Sequence, residues 1–550
     1  MPDSPAHATA WAEQPSPDAP IPGGPPTTSW STAPEPQADP PYGDADVLVV
    51  GAGPAGLMLA CELGLAEVRT VLLERHPAPP GFCRGFNLNA RSLELLDRRG
   101  LANRFLAEGP TVPTTAFAGA AQLNLAAMRT EHPYVLGIAQ TRVEEILAER
   151  AVELGVRILR GHRLTGLRQD DSGVCAEVDS PNGRLLLRAG WLAGCDGGRS
   201  TVRKLARIGF PGTPARRFTL LGDVVLADPQ AIPFGVTAGA NGTVFAIPRP
   251  GYVRLITDDP QPPDDRDEPL TLPRFQHVLD RALGRHVEIA EAHWLTRFGD
   301  AARLAEKLRH GRVLLAGDAA HIHPPAGAIG VNAAIDDAMN LGWKLGLVAR
   351  GQAPDSLLDT YHTERHAAGA RLLRNTRAQM LIAAEGERLA PVREILAELA
   401  QAEETAGYLA EAITGVGTRY PVHHGSGHPW EGRMVPDIPL KRDGLLPLLA
   451  RTAGGALLVD ESTGADSLRE AAEPWADRVT VVSARPDGLP GASAILVRPD
   501  GHAAWAGTPS APHRTTAQQL RGALHHWFGP PTGVTGPQTR GAGAGVRACP

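Results

Sequence analysis

Hydrophobic residues recur along this chain in two patterns, short continuous runs and longer runs with helical spacing. The continuous runs predict buried strands, at residues 47–50, 156–159, 174–178, 184–188 and 312–316. Apolar residues spaced three and four apart predict helices, at residues 91–99, 142–154, 331–350 and 354–375. Strands that alternate with helices in this way predict an α/β fold built on a parallel sheet.

The pattern changes in two later parts of the chain. Residues 214–298 consist of short β-rich runs broken by Pro and Gly, for example GTVFAIPRPGYVRLI. This shift predicts an inserted β-sheet domain, while the flanking residues 44–213 and 299–430 belong to the α/β domain. Residues 431–529 contain a further set of strands and helices and predict a separate C-terminal domain.

The two ends of the chain differ from the rest. Residues 1–43 contain twelve prolines and almost no apolar periodicity. We predict a disordered leader or an extended polyproline II tail there. A proline-rich docking ligand is the alternative, although nothing in the segment repeats. Residues 530–550 are also predicted to be disordered.

Composition narrows the class of protein. At 550 residues the chain is too long for one hydrophobic core. Its net charge of −6 gives no reason to expect nucleic acid as a partner. We find no apolar run long enough to span a membrane and no secretory signal at the N-terminus. The five cysteines lack paired or metal-binding spacing and predict free thiols in a reducing cytoplasm.

The most informative motif is GAGPAG at residues 51–56, between a predicted strand and a predicted helix. Gly51 allows a tight turn, Gly53 lets the backbone approach a pyrophosphate, and Gly56 lets the helix pack on the sheet. The helix N-terminus then offers free N–H groups to phosphates. Glu74 ends the second strand, where an acid can accept a hydrogen bond from a ribose hydroxyl. The arrangement predicts a dinucleotide site, with a purely structural turn as the alternative.

A second motif, WLAGCDGGRSTVRK at residues 191–204, leads a short strand through a sharp turn into a basic helix. In the simplest interpretation, Asp196 and Ser200 cap that helix. This interpretation gives the segment a structural role.

The third motif spans residues 311–344 and joins a buried strand, a His-Pro-Pro stretch, a Gly-rich loop and a long helix. In an open α/β sheet, ligands bind beyond the carboxyl ends of the strands, which is where Gly317 and Asp318 lie. Asp318 can accept a hydrogen bond from a ribityl hydroxyl, or it can cap a helix. The N–H groups of residues 330–332 can face an electron-rich ring carbonyl. The two histidines of this segment lack further ligands nearby and predict no metal site.

These three motifs, over residues 45–375, resemble the FAD-dependent aromatic hydroxylases of the p-hydroxybenzoate hydroxylase superfamily. The segments CRGFNLNARSLELLDRRGL (83–101) and LGIAQTRVEEIL (136–147) are similar to the bacterial aromatic-polyketide hydroxylases. That group includes rifampicin monooxygenase and the angucycline and anthracycline oxygenases. Its members carry a C-terminal thioredoxin-like domain without redox cysteines, and residues 431–529 contain no Cys. The resemblance implies an α/β fold with a GR2-type Rossmann-like FAD-binding domain, an inserted β-sheet substrate domain and a thioredoxin-like domain.

The resemblance also implies a set of cofactor-binding residues, which are Gly51, Gly53, Pro54, Ala55, Gly56, Glu74, Arg75, Arg84, Gln140, Asp196, Asp318, Pro325, Gly330, Val331 and Asn332. In this set the residues around Gly53 hold the FAD pyrophosphate. Glu74 and Arg75 bind the adenosine end. Arg84 and Gln140 approach the flavin and its ribityl chain.

Three further roles follow from the same resemblance. Asp196 belongs to a motif linked to both FAD and NADPH, Asp318 binds the ribityl–phosphate region, and residues 325–332 line the isoalloxazine. The chain departs from the family in this last loop, because relatives have roughly GGQGLN where it has GAIGVN. Ile329 thus replaces a Gln, which removes a polar side chain beside the flavin but keeps the backbone donors.

The resemblance implies a reaction in which NADPH or NADH reduces FAD and a flavin C4a-hydroperoxide transfers oxygen from O2 to a polycyclic aromatic polyketide, in antibiotic biosynthesis. Such chemistry needs a dry pocket, and the Pro- and Ile-rich stretch 322–331 suits that need. No side chain stands out as a catalytic base. We expect a cytoplasmic monomer or homodimer that engages neither membrane nor nucleic acid.

Two alternatives remain open. In the first, the same fold performs a Baeyer–Villiger oxygenation or inactivates an aromatic antibiotic, which the substitution at Ile329 would favour. In the second, the flavin fold binds an unstable intermediate without turnover. A yellow protein that consumes NADPH and O2 would exclude the second alternative.

Overall fold

The computed structural model describes residues 45–262, 268–383, 387–422, 425–440, 444–460, 465–484, 489, 491–509 and 512–532. The leader (1–43) and nearly all of the tail (530–550) lie outside these residues, so their predicted disorder stays a prediction. Within the described chain, residues 213–301 form a smaller compact unit, and the residues before and after them form a larger one.

The first part of the larger unit alternates short strands with helices. Its elements are β1 (Ala45–Val50), α1 (Pro54–Leu65), β2 (Thr70–Glu74), β3 (Asn87–Leu88), α2 (Ala90–Asp97), α3 (Ala102–Leu106), β4 (Thr111–Val112), β5 (Thr114–Phe117), β6 (Ala121–Asn124), β7 (Val135–Gly137), α4 (Gln140–Glu153), β8 (Arg157–Arg160), β9 (Arg163–Asp170), β10 (Gly173–Ser180), β11 (Gly183–Gly194), α5 (Thr201–Leu205) and β12 (Gly212–Thr213).

The smaller unit is an antiparallel sheet with one long helix. Its elements are β13 (Phe218–Leu226), β14 (Gly235–Ala238), β15 (Thr243–Arg249), β16 (Tyr252–Asp259), α6 (Leu272–Leu283) and β17 (Ile289–Gly299). The strands pair in the order β14-β15-β16-β13-β17. Phe275, Val278 and Leu279 of α6 share a buried core with Leu220 and Val224 of the sheet. The change of hydrophobic pattern thus marks an inserted sheet, whose role in binding substrate stays a prediction.

The chain then returns to the larger unit. Its elements there are β18 (Ala302–Leu304), β19 (Arg309–His310), β20 (Val313–Leu315), β21 (His321–Ile322), α7 (Gly330–Ala349), α8 (Leu357–Ala383), α9 (Ala390–Leu399), α10 (Glu403–Thr414), α11 (Leu445–Arg451), β22 (Gly455–Val459), α12 (Ala465–Ala472), β23 (Val479–Ser483), β24 (Ala494–Val497), β25 (Ala503–Gly507) and α13 (His513–Phe528). Among the described helices, none is both long enough and apolar enough to cross a membrane.

The central sheet of the larger unit has the strand order β19-β20-β11-β1-β2-β8. Strand β1 pairs in parallel with β2 on one side and β11 on the other, and β20 and β8 extend the parallel set. The side chains of Val47, Leu48 and Val49 are at most 1% exposed, as expected for a strand covered on both faces. The predicted α/β fold is therefore confirmed.

Strand β11 differs from its prediction, because two short predicted runs form one continuous strand. Residues 184–188 pair antiparallel with β10, whereas residues 189–194 pair in parallel with β1. The first half is partly exposed and the second half is buried. The hydrophobic pattern changes where the strand changes partner, which is why one element was predicted as two.

The last part of the larger unit, called the C-terminal domain below, contains a four-stranded mixed sheet in the order β23-β22-β24-β25. Strands β22 and β23 are parallel and are joined through α12, whereas β24 and β25 pair antiparallel and α13 follows them. Leu458, Ile495 and Val497 lie in its buried core. This βαβ-ββα arrangement is the predicted thioredoxin-like fold.

Candidate active site

The glycine-rich turn between β1 and α1 is tightly packed at two of its glycines and open at the third. Gly51 has a φ of +106°, and a Cβ there would lie 2.4 Å from the carbonyl oxygen of Cys195. A Cβ on Gly56 would lie 1.9 Å from the carbonyl oxygen of Gly51, so α1 packs directly on the turn. At Gly53 a Cβ would meet no described atom within 4 Å. The turn therefore leaves space at Gly53 for a ligand to approach the backbone.

Helix α1 presents its N-terminus to this open space. Gly53 precedes the helix without a side-chain cap, and Pro54 in the first turn has no N–H to satisfy. The first intrahelical bond runs from Leu57 N to Gly53 O, at 3.0 Å. The preceding N–H groups of Ala55 and Gly56, together with the positive end of the helix dipole, suit a phosphate group.

Glu74 lies beside the same turn, at the end of β2. Its Oε2 accepts from the backbone N–H of Ala52 at 2.8 Å, and its Oε1 accepts from that of His76 at 2.9 Å. These two bonds fix the carboxylate and leave each oxygen a further lone pair for a ribose hydroxyl. Arg75 is exposed, with its Nε 3.1 Å from Nε2 of His76.

Gln140 begins α4, and its backbone N–H donates to the Gly85 carbonyl oxygen at 2.8 Å. Its side chain donates to Oε1 of Glu144 at 2.8 Å. Burial raises the pKa of Glu144, and the hydrogen bond from Gln140 and the positive charge of Arg84 oppose this rise. The side chains of Arg84, Gln140 and Glu144 therefore lie close to one another. Glu144 was not predicted from the sequence, although its spacing of four from Gln140 on a helix gives the signal.

Asp196 follows β11 and caps α5. Its carboxylate accepts from the backbone N–H groups of Thr201 at 2.6 Å and Val202 at 3.0 Å, and from the Ser200 hydroxyl at 2.5 Å. Ser200 in turn accepts from the third residue of the helix. The capping interpretation of Asp196 is therefore correct, and its link to FAD and NADPH stays a prediction.

Asp318 follows β20, the neighbour of β11 in the sheet, and its side chain is exposed. Among the described residues its carboxylate has no hydrogen-bond partner, so it caps no helix of the described chain. The N–H of Gly317 donates instead to Oδ2 of Asp337 at 2.9 Å. Asp318 is thus held at the carboxyl edge of the sheet with its acceptors available to a ligand.

Helix α7 begins where the loop that follows Asp318 ends. Ile329 precedes the helix without a side-chain cap, and the first intrahelical bond runs from Ala333 N to Ile329 O at 2.9 Å. The backbone N–H groups of Gly330, Val331 and Asn332 therefore precede that bond. Their binding to a ring carbonyl stays a prediction.

The side chain of Asn332, in contrast, is committed to the fold. It is 5% exposed, and its Oδ1 accepts from the Asn89 N–H and from the Ser92 hydroxyl, both at 2.7 Å. These bonds fasten the start of α2 to the start of α7.

Ile329 is only 8% exposed. Gly327 has a φ of +73°, and a Cβ on it would lie 3.3 Å from the Ile329 side chain and 3.7 Å from Nε2 of Gln379. Ile329 therefore folds back over the loop that carries it, whereas Pro325 is exposed. A buried apolar residue here helps to keep water out of the loop.

Two adjacent carboxylates of α7 were not predicted to matter. Asp337 accepts from the Gly317 N–H, from Nε2 of His321 at 2.8 Å and from Nε of Arg365 at 2.6 Å, while Asp336 accepts from Arg365 Nη1 at 2.6 Å. Burial by itself would raise the pKa of Asp337, but Arg365 and His321 outweigh it and hold the pKa at about 2. Two consecutive acids in an otherwise apolar helix were the available signal.

These features define a site that fits FAD. The open glycine turn accommodates a pyrophosphate, a fixed carboxylate follows at the end of β2, and an available carboxylate lies at the end of β20. Uncapped N–H groups at the start of α7 complete the set. Together with the strand order of the parallel sheet, this site defines the class of protein as a Rossmann-like flavoprotein.

Comparisons with known proteins give the family. Residues 44–376 match the FAD binding domain family, and residues 428–531 match the aromatic-ring hydroxylase C-terminal family. The chain is 41% identical over 509 residues to the 12-dehydrotetracycline 5-monooxygenase/anhydrotetracycline 6-monooxygenase of Streptomyces rimosus, covering 88% of this chain and 99% of that one. It is 42% identical over 492 residues to rifampicin monooxygenase of Streptomyces venezuelae, covering 88% and 99%.

The solved structure of anhydrotetracycline hydroxylase from Streptomyces rimosus superposes with a TM-score of 0.82, at 41% identity, over 89% of this chain and 100% of that one. The chain belongs to the FAD-dependent aromatic-ring monooxygenases. The predicted family, fold class and FAD cofactor are thereby confirmed, with NAD(P)H as the typical reductant of the family.

Proposed function

We propose that this protein hydroxylates a polycyclic aromatic polyketide in antibiotic biosynthesis, with FAD as cofactor and NAD(P)H as reductant. The observation that carries the substrate class is similarity over most of the chain to monooxygenases named for anhydrotetracycline and rifampicin. The site that fits FAD supports the reaction type. We further propose a cytoplasmic location and a monomer or homodimer.

The adenosine half of FAD is assigned to the first part of the chain. The backbone at Gly53 and the start of α1 bind the pyrophosphate, because space and free N–H groups coincide there. Glu74 accepts from the ribose, with the exposed Arg75 beside it. Arg84 and Gln140, which lie close to Glu144, approach the flavin side.

The flavin half is assigned to the segment between β20 and α7. Asp318 accepts from a ribityl hydroxyl, and Pro325 lies on the exposed side of the loop. When bound and reduced, the flavin supplies activated oxygen for transfer to the substrate. The N–H groups of residues 330–332 stabilise negative charge on the ring, while the buried Ile329 helps to exclude water. Asp196 shapes the neighbouring turn through its contacts with α5.

Full-length protein tests the proposal. We expect a yellow protein with the absorption spectrum of bound FAD and NAD(P)H oxidation that increases with anhydrotetracycline. Mass spectrometry should then detect a product with one added oxygen, and NMR should locate it as a hydroxyl. A colourless protein, or one that binds FAD but forms no product with any polycyclic phenol, would contradict the proposal. Size-exclusion chromatography separates monomer from homodimer.

Similarity to rifampicin monooxygenase supports a second candidate, in which the substrate is a finished antibiotic. The same assay with rifampicin in place of anhydrotetracycline distinguishes the two. Product NMR also identifies a Baeyer–Villiger outcome, because that reaction inserts oxygen into a carbon–carbon bond and leaves no new hydroxyl on the ring.

A further inference from the structure

A series of buried polar contacts leads away from the turn that presents Asp318. It begins at Asp337, which is 0% exposed and accepts from the Gly317 N–H at 2.9 Å. Arg365 of α8 donates to Asp337 at 2.6 Å and also to Asp336 at 2.6 Å. One buried guanidinium therefore holds both carboxylates in place, and one of these carboxylates holds the turn.

The series continues from α7 to α2. Oδ1 of Asp336 accepts from Nη2 of Arg91 at 3.0 Å, and Arg91 is 2% exposed. Nε and Nη1 of Arg91 are buried and find no partner among the described residues. Arg91 thus depends on the few acceptors that its Nη2 contacts, because an unpaired buried charge is costly.

The second acceptor of Arg91 comes from the C-terminal domain. Nε2 of His502 lies 3.0 Å from Nη2 of Arg91. A guanidinium can only donate, so Nε2 of His502 must be the acceptor and Nδ1 must carry the ring proton. That Nδ1 lies 3.2 Å from Oδ1 of Asp500, and the Tyr420 ring lies 4.4 Å from the His502 ring, centroid to centroid. His502 is 1% exposed, and its Nδ1 makes an ion-pair distance to Asp500 but no hydrogen bond within the described residues.

We propose that the C-terminal domain forms part of the flavin site, with His502 as the positioning residue through which it holds the Gly317–Asp318 turn. Loss of the His502 acceptor leaves Arg91 with Asp336 alone, and Asp336 is shared with Arg365. Any shift of Asp336 therefore reaches Asp337 and the turn, because the same guanidinium binds both carboxylates. This inference rests on the proposed function, in which Asp318 binds the ribityl chain of FAD.

The test measures the FAD dissociation constant by fluorescence quenching in three variants of the full chain. His502→Leu removes the acceptor, and we expect FAD to bind at least about tenfold more weakly, with a shifted flavin absorption spectrum. His502→Gln keeps an acceptor and should restore most of the affinity. Leu458→Ala is the control, because it opens a cavity in the apolar core of the same domain and removes none of these polar contacts.

The FAD affinities of His502→Leu and Leu458→Ala are compared after allowing for the loss of thermal stability in each variant. If Leu458→Ala weakens FAD as much as His502→Leu does, or if His502→Leu leaves FAD affinity unchanged, the proposal is overturned. Wild-type protein that binds no FAD would instead contradict the proposed function. If His502→Leu fails to fold, His502→Asn replaces it, because its shorter amide cannot reach Arg91. Equal FAD affinity in the Asn and Gln variants then overturns the proposal.

A double-mutant cycle between His502→Leu and Asp337→Asn sharpens the result. The two residues do not touch, so independent effects on FAD affinity should add. We expect a coupling of at least about threefold in the dissociation constant, because both act on the same turn. Strict additivity would overturn the proposed connection.

Discussion

Two turns leave the same edge of the central sheet from neighbouring strands, and each carries an aspartate. After β11, Asp196 accepts from Thr201 N–H, Val202 N–H and the Ser200 hydroxyl, and so holds its own turn. After β20, Asp318 is exposed and has no hydrogen-bond partner in the described chain. There the turn is held by Asp337, a residue much later in the sequence.

The difference arises from the segment that comes after each aspartate. A helix begins shortly after Asp196, and its first N–H groups use the carboxylate. A proline-rich loop comes after Asp318 and offers no such donors, so another element must supply the support. The first aspartate therefore stabilises its own turn, and the second is left available for a ligand. Four predictions test this division, in order of decreasing effect.

Asp337→Ala should have the largest effect. It leaves the Gly317 N–H and Nε of the buried Arg365 without their acceptor, although Arg365 keeps its contact with Asp336. Breaking a buried ion pair costs about 3–5 kcal/mol. Urea unfolding followed by circular dichroism measures the loss. A change below about 1 kcal/mol would show that the turn after β20 does not depend on this support.

Lowering the pH should reduce the free energy of unfolding in two separate steps, because two of the groups that support the turn after β20 take up protons. Burial lowers the pKa of His502 from 6.5 to about 4, with Arg91 and Arg498 adding to the shift and Asp500 opposing it. The unfolded chain therefore takes up a proton between pH 6.5 and 4 that the folded chain refuses, so stability should fall by about 3 kcal/mol in that window. The aromatic Tyr420 that also faces His502 stays neutral throughout.

The second step concerns Asp337, whose pKa is lowered from 3.8 to about 2. Its stabilising contribution is complete above pH 3.8 and should be lost as the pH falls toward 2. Urea unfolding of wild type and His502→Gln over this pH range separates the two steps. The upper step should disappear in the variant, and its persistence would contradict the assignment to His502.

Asp196→Ala should lower the free energy of unfolding by about 1–2 kcal/mol, the usual cost of losing a helix cap. We expect a smaller effect on the FAD dissociation constant than that of Asp318→Ala. Parallel unfolding and FAD titrations of both variants provide the measurement. A stable Asp196 variant that no longer binds FAD would show that Asp196 serves the ligand and not the stability of its turn.

Asp318→Ala should change the free energy of unfolding by no more than about 0.5 kcal/mol, because the side chain is exposed. Loss of a carboxylate acceptor should nevertheless weaken FAD about tenfold, or about 1.4 kcal/mol. Fluorescence quenching by the protein measures this affinity. A destabilised variant with unchanged FAD affinity would remove Asp318 from the site.

The conformation of the glycine turn could be predicted from the sequence, because its requirements are local. The positive φ of Gly51 and the close contact of Gly56 with Gly51 involve neighbours in the chain or the adjacent strand. The position of Asp318 at the carboxyl edge of the sheet could be predicted for the same reason, because Asp318 comes directly after the single strand β20. A sequence motif is enough to predict a structural feature when residues nearby in the chain determine the geometry of that feature.

Contacts between distant segments could not be predicted. The side chain of Asn332 accepts from Asn89 and Ser92, at the start of another helix, and the sequence did not predict these contacts. The pairing of Arg91 with His502 likewise joins residues at opposite ends of the chain. No periodicity or motif encodes such a partner, because it exists only once the domains have packed.

The inserted sheet has a further property that follows from how its first and last strands pair. Phe218, at the start of β13, lies opposite Gly299, at the end of β17. The chain therefore enters and leaves this unit at neighbouring points, and the unit has its own hydrophobic core. A segment with adjacent ends and an independent core can be replaced as a cassette without cutting the parallel sheet on either side.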